Sequence, residues 1–468
     1  METATQELEV KQDKSVVAWQ PPESMTAKEA GKTVCAFLDT ASTTFGRATH
    51  YNSREEQQKA ELAAHEAMLT LDRDLYALLN MLPGVNDRAR QVAVKNLLGS
   101  TRNEFKGFLN ADVERIIIAK LLQEIPAQRL MKLFDTLRVG DKDKGIRKAN
   151  NARTRKIILR TLLSSPRLEL WTVKYRSKVA RALRHAWGKK YGTIKSILKK
   201  DKWDAKEKAI LISSVVKYTS GSVIPVRESL KFVFGLKSTL PLHVAFEAAK
   251  KDLLDGSRLP PEVLEGIRGT YHKDIKKESV LKITKDSMTS AQKMNVQRSA
   301  KKAGVDVKMD PKNYDAVRLY LYLFEMEDEL DDVAKKDIRE ALHQKAQKSA
   351  AGFPAKHDRL MVILDASKSM EGSKDQKLRP MAAALALTDM LMATVNGKLW
   401  GDLAVCGGYF KTNSQLIRPG GATELAEELV LALQNSPDAI YVISDGYENC
   451  PSGRFGEVVN AVREMGIK

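Results

Sequence analysis

The sequence predicts an α + α/β protein: an N-terminal α-solenoid of short helices, then a doubly wound parallel α/β domain. Two patterns carry that prediction. From about Glu55 to Ala346, apolar residues recur at helical spacing, and Gly, Pro, Asn or Asp break the pattern every few turns. From Lys356 onward, continuous apolar runs alternate with helical stretches, the signature of a parallel sheet. Composition permits both, since 468 residues at 43% hydrophobic and 29% charged can build several large cores.

Taken in order, residues 1–55 read as an extended polar segment with an apolar patch at "VVAWQPPE". The polar, acidic Met1–Lys14 start matches neither a signal nor a transit peptide. "ELAAHEAMLTLDRDLYALLNML" then spaces Leu62, Met68, Leu71, Leu75, Leu78 and Leu82 as one helical face, ended by "LPGVND". Helices follow in "DRARQVAVKNLLGS", "DVERIIIAKLLQEI", "AQRLMKLFDTLR", "RKIILRTLL" and "RSKVARALRHAWGKKY". Further helical patterns cover 205–218, 226–234, 242–254, 261–267, 279–286, 289–302, 313–324 and 329–347. Tight breaks between amphipathic helices favour stacked helix pairs, although no sequence repeat of fixed period is visible. The expected division is 1–55, a helical domain at 56–355, and an α/β domain at 356–468.

In the last part, "RLMVILDAS", "DLAVCGGYF" and "DAIYVISDG" read as buried strands. "LRPMAAALALTDMLMATV" and "TELAEELVLALQ" read as the helices between them. Sites in such sheets form at the carboxyl ends of the strands. Asp365, Ser367 and Ser369 alternate at the end of the first strand, where i, i+2 and i+4 point one way. Thr423 follows a Gly pair at the start of a helix, and Asp445 ends another strand. Two carboxylates and three hydroxyls are hard oxygen donors, suited to Mg²⁺ or Mn²⁺ with water completing the shell. The same hydroxyls also suit ordinary turn and helix caps.

The net charge of +18 is localised. Between Arg138 and Lys208 there are 23 Lys/Arg and 6 Asp/Glu, whereas the rest of the chain is nearly balanced. Such a field points to a polyanion. A helix over 174–190 would place Lys174, Lys178, Arg181 and His185 on one face, with Arg184 beside them. Val179, Leu183, Ala186 and Trp187 form its packed face. Arg147, Lys148, Arg153, Arg155 and Lys156 lie upstream; Arg176, Lys189 and Lys190 complete the cationic set. The interleaved Trp171, Tyr175, Trp187, Tyr191 and Trp203 suit a core better than base stacking. A helix with one packed face favours RNA over a lipid surface. A second, weaker run holds Lys293, Arg298, Lys301 and Lys302.

"VILDASKSM", "GGATEL" and "VISDG" together resemble the metal-ion-dependent adhesion site of von Willebrand factor A domains, with all five donors in order. With the helical array and the junction "KNYDAVRLYLYLFE", and more loosely "GRATHYNSREEQ", most of the chain resembles the TROVE/Ro autoantigen family, as a bacterial or phage-type member. The resemblance implies HEAT-like helical repeats closed into a ring and sealed by the A domain. That domain's fold has two more strands after Asp445; the 23 residues that follow here supply one helix, so the last strands are lacking in this chain. The resemblance also implies binding of small structured non-coding RNAs of the Y class and of single-stranded 3′ ends of misfolded RNAs. On that reading the metal leaves a position open for an acidic protein partner, such as an exoribonuclease.

The remaining signals are exclusions. The longest apolar stretch, "MAAALALTDMLMATV", is short and contains Asp389, so no membrane span is expected. Cys35, Cys406 and Cys450 form neither a disulfide framework nor a zinc pattern, which suits a cytoplasmic protein. No phosphate-binding loop, zinc-protease motif or activated nucleophile is present, so no enzyme is expected. The alternative is a metal-dependent scaffold that recruits proteins and has no specific RNA role. A magnesium-dependent hydrolase built on Asp365 and Asp445 lacks an evident general base.

Overall fold

The structure, a computed structural model, describes residues 25–42, 54–100, 111–139, 149–354, 357–372, 377–395, 400–411, 414, 416–446, 448 and 451–466. The "VVAWQPPE" patch lies outside them, as do Arg147 and Lys148 and most of "GRATHYNSREEQ". The chain is mostly helical, with 21 α-helices and one three-stranded parallel sheet among the described residues. It divides into two compact units: the described parts of Met1–Thr43 with Gln58–Ile157, and those of Thr44–Gln57 with Ile158–Lys468.

The first unit holds α1 (Ala27–Ser42), most of α2 (Arg54–Leu71), α3 (Arg73–Leu79), α4 (Asp87–Gly99), α5 (Ala111–Glu124), α6 (Ala127–Val139) and the start of α7 (Ala152–Leu163). Helix α1 corrects the reading of 1–55 as extended: its buried Ala30, Phe37 and Ala41 are spaced for one face, within an otherwise polar sequence. The long helix expected from Leu62 to Leu82 is broken at Asp72, whose carboxylate caps α3 by accepting from Asp74 N and Leu75 N. Leu78 and Leu82 are consequently exposed. The interior is polar at one point. Fully buried Arg73 donates to both Glu114 oxygens, at 2.8 and 3.1 Å, and to Leu97 O at 2.7 Å.

The second unit continues through α8 (Leu168–Lys174), α9 (Arg176–Trp187), α10 (Lys190–Leu198), α11 (Ala205–Ser214), α12 (Val223–Val233), α13 (Pro241–Ala248), α14 (Pro261–Tyr271), α15 (Lys277–Thr284), α16 (Ser290–Lys302), α17 (Ala316–Met326) and α18 (Asp332–Ala351). His243 knits part of it together. Its ring stacks on Phe232 at 4.0 Å, and its nitrogens meet Thr172 Oγ1 and Ser238 Oγ, both at 2.8 Å.

The sheet closes the chain: β1 (Arg359–Asp365), α19 (Arg379–Met392), β2 (Trp400–Cys406), the hairpin β3 (Tyr409–Phe410) and β4 (Ile417–Arg418), α20 (Leu425–Gln434), β5 (Ala439–Ile443) and α21 (Arg454–Glu464). Strand order is β2-β1-β5, all parallel, with Asp365 opposite Cys406 and Leu364 opposite Ile443. Strand β1 is buried on both faces, so it reads as an unbroken apolar run. Leu360 and Val362 pack with Leu391, and Leu364 joins the core of α17, α18 and α19. Met361 and Ile363 face Leu425, Leu429 and Phe455 of α20 and α21. Because α17 and α18 share the core of α19, the change of sequence pattern at 356 is not a boundary in packing.

The run expected as one strand over 402–410 is two. Gly407 and Gly408, at φ +69° and +79°, turn the chain after Cys406. Tyr409 and Phe410 then pair antiparallel with Arg418 and Ile417. Among the described residues no single helix is long and apolar enough to cross a membrane; one helix pair, bent by 105°, passes only when taken together.

Candidate functional site

The strand order places β2 and β5 on opposite sides of β1, so the carboxyl ends of β1 and β5 flank a topological switch point. Asp365 lies there, fully buried at the end of β1. One carboxylate oxygen accepts Ser367 N at 2.9 Å, and the other accepts Ser444 Oγ at 2.7 Å. Ser444 is held by Gly446 N at 3.0 Å, and Asp445 lies between these two residues. The hydroxyls of Ser367 and Ser369 meet at 3.0 Å.

Backbone hydrogen bonds knit in the third loop. Lys368 N donates to Gly421 O at 3.1 Å, Gly420 N to Ala366 O at 2.9 Å, and Gly408 N to Gly420 O at 2.7 Å. Thr423, fully buried, lies two residues past Gly421 at the entrance to α20. The loops bearing Asp365, Ser367, Ser369 and Thr423 are therefore tied directly, and the Asp445 loop is tied through Ser444. Sequence reasoning passed over Ser444; the signal was a second side-chain oxygen beside the acid in "VISDG".

This donor set fits a hard divalent cation. Mg²⁺ usually takes one or two carboxylates and keeps several waters; the expected set has two carboxylates and three hydroxyls, of which Asp365, Ser367 and Ser369 lie together. No group of three His, Cys, Asp or Glu side chains that could hold a metal ion lies together among the described residues. The Cys406 thiol, opposite Asp365 across the sheet, is buried, and burial with the charges of Glu428 and Asp365 pushes it up to about 12.

The cationic residues prove heterogeneous. The helix expected over 174–190 breaks at Tyr175 and again at Gly188. Lys174 ends α8 and pairs with Glu262 of α14. Arg176 donates to Phe232 O at 2.7 Å and covers that ring, so it serves packing. His185 is buried among the α9 core residues, which corrects its place on the cationic face. One position of helical rotation separates it from the exposed Arg184. Lys178 lies near the Tyr175 ring, and Arg184 lies 5.1 Å from the Tyr191 ring centre. Lys189 and Lys190 are exposed. In α7, Arg153 pairs with Glu114 and Arg155 reaches Asn150, whereas Lys156 is exposed. Arg160 and Arg167, not singled out from sequence, are exposed as well.

Two of the aromatics are tied into the fold: Trp187 Nε1 donates to Ser214 O at 2.9 Å, and Trp203 Nε1 to Ile197 O at 3.0 Å. In α16, Lys293 is half-buried and Lys302 exposed, but Arg298 and Lys301 contact the acidic stretch Glu325–Glu329. No family model, no curated protein and no solved structure matches the chain.

Proposed function

We propose that this protein binds RNA through its helical part and carries a divalent cation at the β1–β5 edge of its sheet. The observation behind the reading is charge segregation: 23 Lys/Arg against 6 Asp/Glu within 138–208. Packing takes up Arg176 and His185 but leaves Arg181, Arg184, Lys189 and Lys190 on the surface. A dense row of like charges repels itself and is relieved by a bound polyanion. Such binding is largely sequence-independent, so the ligand is chosen by RNA shape.

The TROVE/Ro resemblance, with its helical-repeat ring and von Willebrand factor A domain, supplies the ligand classes: Y-like non-coding RNAs and single-stranded 3′ ends of misfolded RNAs, in RNA quality control. Asp365, Ser367, Ser369, Thr423 and Asp445 would hold Mg²⁺ or Mn²⁺. The ion's contribution when bound is Lewis acidity toward a carboxylate from a protein partner. Ser444 and Ser367 N hold the Asp365 carboxylate in a fixed orientation whether or not that partner is present.

A scaffold without an RNA role is the second reading. It is favoured by Tyr409 and Phe410, which are 53% and 59% exposed on the strand that follows Gly408. Sequencing RNA that co-purifies with the protein from its native cells separates the two. The RNA reading expects enrichment of a few small structured species over a control purification, and the scaffold reading expects none.

A further inference from the structure

The segment Glu325–Glu329 at the end of α17 reaches three elements at once. Glu327 accepts from Arg418 of β4 at 3.2 Å and from Ser414 at 2.5 Å. The Glu327 and Arg418 side chains are each only 9% exposed, so this contact is an anchor. Asp328 pairs with Lys411, just beyond β3, at 2.9 Å. The opposite side of the turn meets α16. Arg298 donates to Glu325 O at 2.9 Å and lies 3.6 Å from each of the Glu325 and Glu329 carboxylates. Lys301 donates to Glu329 O at 2.6 Å and stands 3.9 Å from its carboxylate.

The two sides differ in strength. The carboxylate pairs to α16 are long and half exposed, and such surface pairs contribute little and weaken with salt, while the two bonds to backbone carbonyls are of ordinary length and solvent-exposed. Helix α16 does not depend on them for its position. Ala300 is buried with Met288, Val305 and Val307, and a capping box of Thr289 and Gln292 fixes its first turn. Its sequence carries four cations and no acid, and two of the cations, Lys301 and Lys302, stand in the last turn.

We propose that the turn is a built-in stand-in for phosphates. It occupies Arg298 and Lys301 in the free protein and yields them to a polyanion, while Glu327 keeps it anchored. The proposal rests on the chain being an RNA binder and adds a regulated second RNA surface to that reading. A phosphate takes Arg in two parallel charge-assisted hydrogen bonds, at shorter range than the present 3.6 Å carboxylate pairs and stronger than the single bond to the Glu325 carbonyl.

The test uses the full chain and a fluorescein-labelled oligouridylate, followed by anisotropy across a potassium chloride series. E325Q/E329Q removes both carboxylate charges and leaves Glu327 in place. It should bind about two- to tenfold tighter, the range that weak surface pairs permit. Its salt slope should steepen by roughly 0.7 for each additional phosphate neutralised. Adding R298Q/K301Q should abolish the tighter binding. E457Q/E464Q on α21 alters net charge equally and should change affinity less than about twofold. Unchanged binding by E325Q/E329Q, an increase no larger than that of E457Q/E464Q, or an increase that survives R298Q/K301Q overturns the proposal. If the wild type binds and E325Q/E329Q is no tighter, only this inference fails; if neither binds, the RNA reading fails with it.

Discussion

Replacing Gly407 with Ala probes whether the loops of the candidate metal site are held as tightly as their hydrogen bonds imply. A Cβ there would lie 2.7 Å from Gly420 O, 2.9 Å from Ala422 O and 3.3 Å from Ser367 Cα. All three are backbone atoms, and Gly420 O is already engaged by Gly408 N at 2.7 Å. The left-handed φ of +69° adds about 1–2 kcal/mol for any residue with a Cβ. Displacing the Gly420 carbonyl forfeits a further ~0.5–1.5 kcal/mol of hydrogen bonding. Together the loss is about 1.5–3.5 kcal/mol.

Gly421→Ala is the control. Its φ of +75° gives the same strain, but its Cβ would meet only Gly407 Cα, at 3.7 Å, an ordinary contact. Urea unfolding of both variants, with magnesium titration by calorimetry, reads the difference. Gly407→Ala should lose ~0.5–1.5 kcal/mol more than Gly421→Ala and should bind magnesium more weakly. Equal losses and equal magnesium affinities would refute the close-packed loop.

Asp365→Ala and Asp445→Ala should each abolish magnesium binding in calorimetry and leave RNA affinity intact in filter binding; loss of RNA affinity in a folded variant would merge the two sites. Arg418→Ala should cost about 3–5 kcal/mol in urea unfolding by stranding Glu327 in a nearly dry position, and pairing it with Glu327→Ala should recover part of that. His243 has a pKa lowered to about 4, chiefly by burial, from about 6.5 when unfolded. Its neutral form is the folded one, so its contribution is whole above pH ~6.5 and fades as pH falls toward 4. His243→Gln should flatten stability against pH across that window, measured by thermal melts, and an unaltered pH profile would remove His243 as the cause.

Strand β1 and helices α19 and α20 were legible in the sequence because a strand buried on both faces leaves a continuous apolar run. The places of Asp365 and Asp445 at the ends of β1 and β5 were legible for a related reason: they follow closely on those runs. Helix α1 was not, since its few buried residues are diluted by polar ones on the other faces. The break at Tyr175 carries neither Gly nor Pro, so nothing local announced it, and the cationic face expected across it was drawn too long. His185 shows the limit of periodicity, because one residue of rotation separates a core position from a surface one. The partners of Arg298 and Lys301 lie 27 and 28 residues away, beyond any pattern that local spacing can show.

The proposed RNA footprint is the charge gathered in 138–208. The direct test is the salt dependence of binding to a stem–loop RNA by the wild type and by R181A/R184A/K189A/K190A. These four cations are exposed, whereas Lys174 and Arg176 are half-buried and His185 is buried. Each phosphate no longer neutralised should take roughly 0.7–0.9 from the slope of log affinity against log salt, up to about 3 for the four, with weaker binding at every salt concentration. An unchanged slope and affinity in the folded variant would contradict the account.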